Sequence, residues 1–137
     1  MKDNFVAHPK TRIGHIHLSV SDLNRSIQFY NELLGFNIIQ KYGDSAAFLS
    51  AGGYHHHIGL NIWNSKNRKP APGGHTGLYH FAIVYPNRKE LARVVKRLID
   101  AKYSIDGMSD HGVSEAIYLR DPDKNGLELY YDRPKKL

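Results

Sequence analysis

With 137 residues, 41% hydrophobic and 23% charged, the chain has the composition of one globular domain large enough for a real core. No apolar run approaches the roughly 18 to 20 residues that span a bilayer, and residues 1–10 lack the apolar stretch of a signal peptide, so a cytoplasmic protein with no membrane partner is expected. The net charge of +6 comes from basic residues scattered along the chain, with Arg133, Lys135 and Lys136 clustered near its end. That pattern reads as a solvated surface able to attract a small anion, and not as a nucleic-acid face. There is no cysteine, which removes disulfides and thiolate ligands and leaves nitrogen and oxygen to hold any metal. Nine histidines are the informative excess.

In chain order, residues 1–10 read as a loose arm. From Ile13, the alternation Ile-Gly-His15-Ile-His17-Leu-Ser19-Val predicts a strand with one core face. Ser21-Asp22 offers an N-cap, and Leu23, Ile27, Tyr30, Leu33 and Leu34 recur at helical spacing before Gly35 stops the helix. Strands follow over 36–40 and 46–49, and a third over 55–63, where Gly52-Gly53 turns the chain into His55-His56-His57-Ile-Gly-Leu-Asn61-Ile-Trp63. Residues 65–77, with two prolines and three glycines, read as a linker.

The pattern then begins again. Leu78 to Val84 reads as a strand. Asn87 with Glu90 three residues later is a capping box, opening a helix whose stripe is Leu91, Val94, Val95, Leu98 and Ile99. Tyr103 to Ile105 reads as a short strand. Ser114 to Leu119 and Leu127 to Tyr131 form a closing hairpin around Asp121-Pro122-Asp123-Lys124-Asn125-Gly126, a run of turn formers. That hairpin would bring Tyr118 and Glu128 together.

Laid over each other, the halves match His15 to His80 and Asp22 to Asn87 at an offset of 65 (80 − 15), and Gly59-Leu60-Asn61 to Gly126-Leu127-Glu128 at 67 (126 − 59). A duplicated βαβββ module follows. The expected fold is α+β, two tandem modules making a cupped sheet around a metal site. Module one covers about 12–64, the linker 65–77 and module two about 78–133.

His15 and His17 share a strand face, and the repeat favours His15, since His17 falls opposite Ala82. His15, His80 and Glu128 would then be two imidazoles and one carboxylate with open positions left, the facial set suited to non-haem Fe(II); Mn(II) or Zn(II) also suit it.

The duplicated pattern resembles the vicinal oxygen chelate superfamily, which includes glyoxalase I, fosfomycin-resistance enzymes, bleomycin-binding proteins and extradiol dioxygenases. The resemblance covers about residues 12–133 and implies His15, His80 and Glu128 as metal ligands. Extradiol dioxygenases carry a histidine, five to seven residues, an aliphatic residue, a tyrosine, a turn with proline and then the ligand glutamate. Here that run is His111, Gly-Val-Ser-Glu-Ala, Ile117, Tyr118, Asp121-Pro122 and Glu128, with departures at Lys124 and Ser109.

The resemblance also implies an acid-base histidine within His55-His56-His57. The preceding Gly-x-His-His favours His56, with His57 as the alternative, because strand alternation counted from Asn61 points His55 and His57 inward instead. The implied reaction opens a catechol-like aromatic diol beside its hydroxyls with O2 on Fe(II). His56 would move the substrate proton, and His111 and Tyr118 would hydrogen-bond oxygens where negative charge develops. The rival readings are a glyoxalase-like or thiol-transferase metalloenzyme of the same superfamily, and a metal-free drug-sequestering protein. A homodimer is expected from the sheet edges such modules expose.

Overall fold

The computed structural model describes residues 4–134. The first three residues of the expected arm, and Lys135 and Lys136 of the basic cluster, lie outside them. Residues 4–15 carry no strand or helix.

Eight strands and two helices follow as two copies of one order. β1 (Ile16–Ser19) leads to α1 (Leu23–Ile27), which continues as a π-helical segment, Gln28–Leu33, and then to β2 (Asn37–Tyr42), β3 (Ala46–Ser50) and β4 (Ile58–Asn61). β5 (Phe81–Tyr85) leads to α2 (Arg88–Asp100), β6 (Ile105–Asp110), β7 (Ser114–Arg120) and β8 (Gly126–Asp132). Each copy is a four-stranded mixed sheet, ordered β1-β4-β3-β2 and β5-β8-β7-β6, with only the first pair of each parallel. The α+β fold of two tandem βαβββ modules is therefore the observed one, and residues 65–77 between them form neither strand nor helix. No described helix is long and apolar enough to cross a membrane.

Both helices start on the expected caps: Asp22 accepts from Arg25 N–H, and Asn87 from Glu90 N–H. The first helix departs from the predicted α periodicity after Ile27. Leu34 N–H reaches back to Phe29 O, an i to i−5 bond of 3.0 Å. The widened turn lets the consecutive Phe29 and Tyr30 both bury, packed edge to face at 4.8 Å. Phe29 falls outside the predicted stripe for that reason. Arg97 of α2 donates to the Leu33 and Glu32 carbonyls that the segment leaves free.

On α2, Leu91, Val94 and Leu98 are buried as expected, but Ile99 is exposed. One continuous core joins the modules, running from Leu18, Tyr30, Leu49 and Leu60 to Leu98, Leu119, Leu127 and Leu129. The turn before β8 is fastened to module one as well. Tyr30 OH donates to buried Asp121 at 2.7 Å, and Asp123 accepts from Ser21 N–H and Arg25. Lys124 in that turn takes φ 68°, so the departure from glycine puts a side chain in left-handed backbone.

The pairing registers make the repeat measurable. A row across sheet one reads Ile16, Ile58, Leu49, Ile38, and its counterpart in sheet two reads Phe81, Leu127, Leu119, Ile105. Both sheets slip register just beyond that row, between Ile38 and Gln40 and between Ile105 and Gly107. The coincident bulges fix the equivalence. It keeps His15 with His80 but shifts the fourth strand to an offset of 69 (127 − 58). Gly59, and not Asn61, therefore occupies the position of Glu128. The short Gly-Leu-Asn and Gly-Leu-Glu matches mislead because a two-residue slip along a strand preserves which face each residue occupies.

Candidate active site

Residues paired across a sheet, and those two apart along a strand, share a face. On sheet two this rule assembles Ala82 on β5, Glu128 beside it on β8, Tyr118 beside Glu128 on β7, and Gly107 and Ser109 on β6, with His80 one residue ahead of β5. The opposite face of β8 carries Leu127, Leu129 and Tyr131 into the core, so Glu128 is held on the half-open side by burial of its neighbours. A Cβ at Gly126 would stand 2.5 Å from Tyr79 O and 3.1 Å from His80 Cβ. Glycine there lets the chain carrying His80 lie against the start of β8.

The polar groups on this face touch in sequence. His80 Nε2 lies 3.4 Å from Glu128 Oε2. Tyr118 OH donates to Glu128 Oε1 at 3.4 Å, and Ser109 Oγ lies 3.0 Å from Tyr118 OH and 3.1 Å from His111 Nε2. Four of the six residues singled out in the sequence, His80, His111, Tyr118 and Glu128, are thus brought together. Ser109, read in the sequence only as a departure from a motif, is the link between two of them. No pattern in the sequence marks it, because residues 106–110, with Asp106, Gly107 and Asp110, do not read as a strand.

Beyond the β6–β7 turn, Arg133 holds both Asp110 oxygens at 2.8 and 2.9 Å, the Gly112 carbonyl at 2.9 Å and Glu115 at 2.8 Å. Hydrogen bonds from Arg133, then the Gly112 N–H, hold the Asp110 carboxyl down at about 2.

The remaining two residues flank sheet one, His15 just before β1 and His56 in the loop before β4. His15 stacks obliquely on His56 at 4.3 Å, and His56 meets Phe48 edge-on at 5.1 Å. The row equivalent to Ala82–Glu128–Tyr118 is His17–Gly59–Phe48. His17 covers Gly59 so closely that a Cβ there would stand 2.7 Å from His17 Nδ1. His17 also bonds Asn61 at 2.9 Å. Burial, reinforced by the neighbouring His15, pushes the His17 pKa down, and burial followed by His15 does the same for His56.

β4 begins only at Ile58, so residues 55–57 form a loop and strand alternation does not reach them. His57 is turned to structural work: its Nδ1 accepts from Ala51 N–H and lies 3.2 Å from Ser50 Oγ. His56 is the histidine placed beside His15.

An imidazole nitrogen and a carboxylate oxygen converging at 3.4 Å, with Tyr118 bonded to the other carboxylate oxygen, suit two neighbouring positions of a divalent ion. Among the described residues no third histidine or acidic side chain joins this pair closely enough to share an ion within the one chain. His15 stands instead at an open groove of about 690 Å³, lined by residues 13–16 on one side and 81–84 on the other, with Phe36 and His57 at its wall.

The model of the Glyoxalase/Bleomycin resistance protein/Dioxygenase superfamily matches residues 12–129. A protein of Bacillus subtilis (strain 168) named catechol-2,3-dioxygenase is 53% identical over 97 residues, 70% of this chain and 34% of its own length. The chain therefore spans about a third of that relative. A metallothiol transferase FosB of Lysinibacillus sphaericus is 30% identical over 86% of this chain and 80% of its own. A glyoxalase/dioxygenase structure from Nostoc punctiforme superposes with a TM-score of 0.76 at 20% identity, covering 97% of this chain and all of that one, which speaks for the fold alone.

Proposed function

The chain belongs to the glyoxalase/bleomycin resistance protein/dioxygenase superfamily, and from that membership we propose that it is an Fe(II)-dependent extradiol dioxygenase opening the ring of a catechol-like diol with O2. The observation that carries this reading is the hydrogen-bonded run on sheet two, from the His80–Glu128 pair through Tyr118 to His111. A thiol transfer or the isomerisation of a hemithioacetal gives the far end of that run nothing to do. The identity to a protein named catechol-2,3-dioxygenase supports the same choice. So does Gly59, because an arrangement that takes a carboxylate from each module finds no side chain there.

His80 and Glu128 would hold the ion together with His15. Since His15 stands apart from the pair within one chain, the set closes between two copies, each lending His15 to the other's pair, and the functional unit is a homodimer. When bound, the ion supplies Lewis acidity that lowers the pKa of a diol hydroxyl, and redox capacity for O2.

The protein's own groups do the rest. His56 takes the proton from the ionising hydroxyl and returns one to the departing oxygen. Tyr118 and His111 present O–H and N–H donors to oxygen atoms that gain negative charge. Phe48 and His17, where module two has Tyr118 and Ala82, offer aromatic surface without a second carboxylate. The carbon–carbon bond beside the diol breaks, both atoms of O2 enter the product, and a semialdehyde acid is released, a step in aromatic-compound breakdown.

Protein loaded anaerobically with Fe(II) should consume one O2 per catechol and yield a strongly absorbing ring-opened product. Turnover of a glutathione hemithioacetal or of a thiol and an epoxide, with no catechol in a panel cleaved, would overturn the assignment. Mixing inactive His15→Ala and His80→Ala chains should restore activity through heterodimers with one intact site. No restoration on mixing would place the complete site within one chain.

A further inference from the structure

Ser109 touches both far-end groups of the run while reaching neither His80 nor Glu128. We propose that Ser109 is a positioning residue whose hydroxyl fixes the tautomer of His111 and the direction of the Tyr118 hydroxyl.

The argument is one of donors and acceptors. Tyr118 gives its only proton to Glu128 Oε1, so the Tyr118 oxygen faces Ser109 as an acceptor. Ser109 must then donate along the 3.0 Å contact. With its single proton spent, Ser109 can only accept at the 3.1 Å contact with His111, so His111 must carry hydrogen on Nε2. Every other assignment leaves two protons, or none, in one of the contacts. The order is therefore His111 Nε2–H to Ser109, Ser109 O–H to Tyr118, and Tyr118 O–H to Glu128.

The backbone supports this role. Gly107, directly across from Tyr118, puts no side chain between Tyr118 and Ser109. The strand end beyond Ser109 is clamped by Arg133 on Asp110, and His111 N–H donates to Ser114 O at 2.9 Å. Module one shows what happens without the device. Tyr42, the counterpart of Ser109, lays its ring edge-on against Phe48 at 5.5 Å, and Phe48 has no hydroxyl to orient.

The proposal deepens the dioxygenase reading, in which the Tyr118 O–H and His111 N–H, held by Glu128 and Ser109 while no substrate is present, turn to substrate oxygens, and it rests on that reading for its kinetic consequence alone. The deciding experiment is nitrogen-15 NMR of the histidine-labelled, metal-free 137-residue chain. Wild type should show His111 as a single Nε2–H tautomer. Ser109→Ala should shift it to a mixture, and Ser109→Thr, which keeps the hydroxyl, should restore it; Ser109→Cys, a close match in size with a weak donor, serves if Ser109→Ala does not fold. An unchanged His111 tautomer in Ser109→Ala or Ser109→Cys overturns the proposal. In the loaded enzyme, Ser109→Ala should lower kcat about tenfold, the low end for outer partners of a site, with KM little changed. If wild type itself cleaves no catechol, the dioxygenase reading fails while the NMR result still judges Ser109.

Discussion

Sheet one and sheet two share strand order, register and even the position of a bulge, yet the faces built on that frame diverge at two neighbouring positions. Where sheet two sets Ala82 beside Glu128, sheet one sets His17 beside Gly59. The pair has exchanged volume: the small residue leaves room for a carboxylate in one sheet, and the large ring fills the space over glycine in the other. The next position repeats the pattern, with the Tyr118 hydroxyl answered by Phe48. Only the histidine just ahead of the first strand, His15 and His80, survives in both. Duplication supplies the scaffold twice, and a few exchanges at constant volume separate a polar face able to hold an ion from an aromatic face able to flank a ring.

The sharpest way to break the comparison is to remove the group only one sheet possesses. Glu128→Gln keeps shape and hydrogen bonding but removes the ionic donor. Divalent-metal affinity should fall by at least about a hundredfold, the upper end of what changing a mere outer partner of a ligand costs. Calorimetric titration with metal reads this directly, and an affinity within a few-fold of wild type would deny sheet two its special status. Tyr118→Phe gives sheet two the residue of sheet one. Metal should stay bound while kcat drops about a hundredfold, as for loss of a single preorganised donor. Loss of metal in that variant would show that Tyr118 orients Glu128 more than it serves a substrate.

Much of this was legible in the chain. Periodicity gave both capped helices and the hairpin, and the turn run 121–126 correctly implied Tyr118 opposite Glu128, which pair in the structure. What was not legible has physical causes. A π-turn breaks the 3.6-residue period, so Phe29 was missed. β6 runs on to Asp110 although Asp106, Gly107 and Asp110 are poor strand formers, because pairing with β7 outweighs propensity. The match of Asn61 to Glu128 failed because faces repeat every two residues, and only cross-strand pairing tells one equivalent position from the next. The separation of His15 from the His80–Glu128 pair is a matter of how modules meet, which local pattern does not encode.

A smaller effect tests the volume exchange itself. Gly59→Ala places a methyl against the His17 ring and should destabilise the fold by about 1–3 kcal/mol, as overpacking does. Adding His17→Ala should recover most of that loss, since the neighbour that crowded the new Cβ is gone. Urea unfolding of the two single variants and the double variant gives the coupling. Additive losses would mean that the two positions do not share one space.

The smallest effect concerns the clamp that sheet two has and sheet one lacks. Asp110 titrates at about 2, below its ordinary 3.8, because Arg133 and the Gly112 N–H bond its ionised form. A carboxyl whose folded pKa lies below its unfolded value stabilises the fold above the unfolded value and loses that contribution as pH falls toward the folded one. The clamp should therefore be intact at neutral pH and slacken between about pH 4 and 2. Arg133→Gln should raise the Asp110 midpoint toward its ordinary value, followed by carbon-13 NMR of the carboxyl. Because both side chains are substantially exposed, overall stability should hardly change. The consequence should be local: the His111 amide, whose turn Arg133 grips through Gly112 O, should exchange faster with solvent in Arg133→Gln. Unchanged exchange there would mean that the backbone pairing of β6 with β7 suffices to hold His111, and that the ion pairs merely decorate an edge.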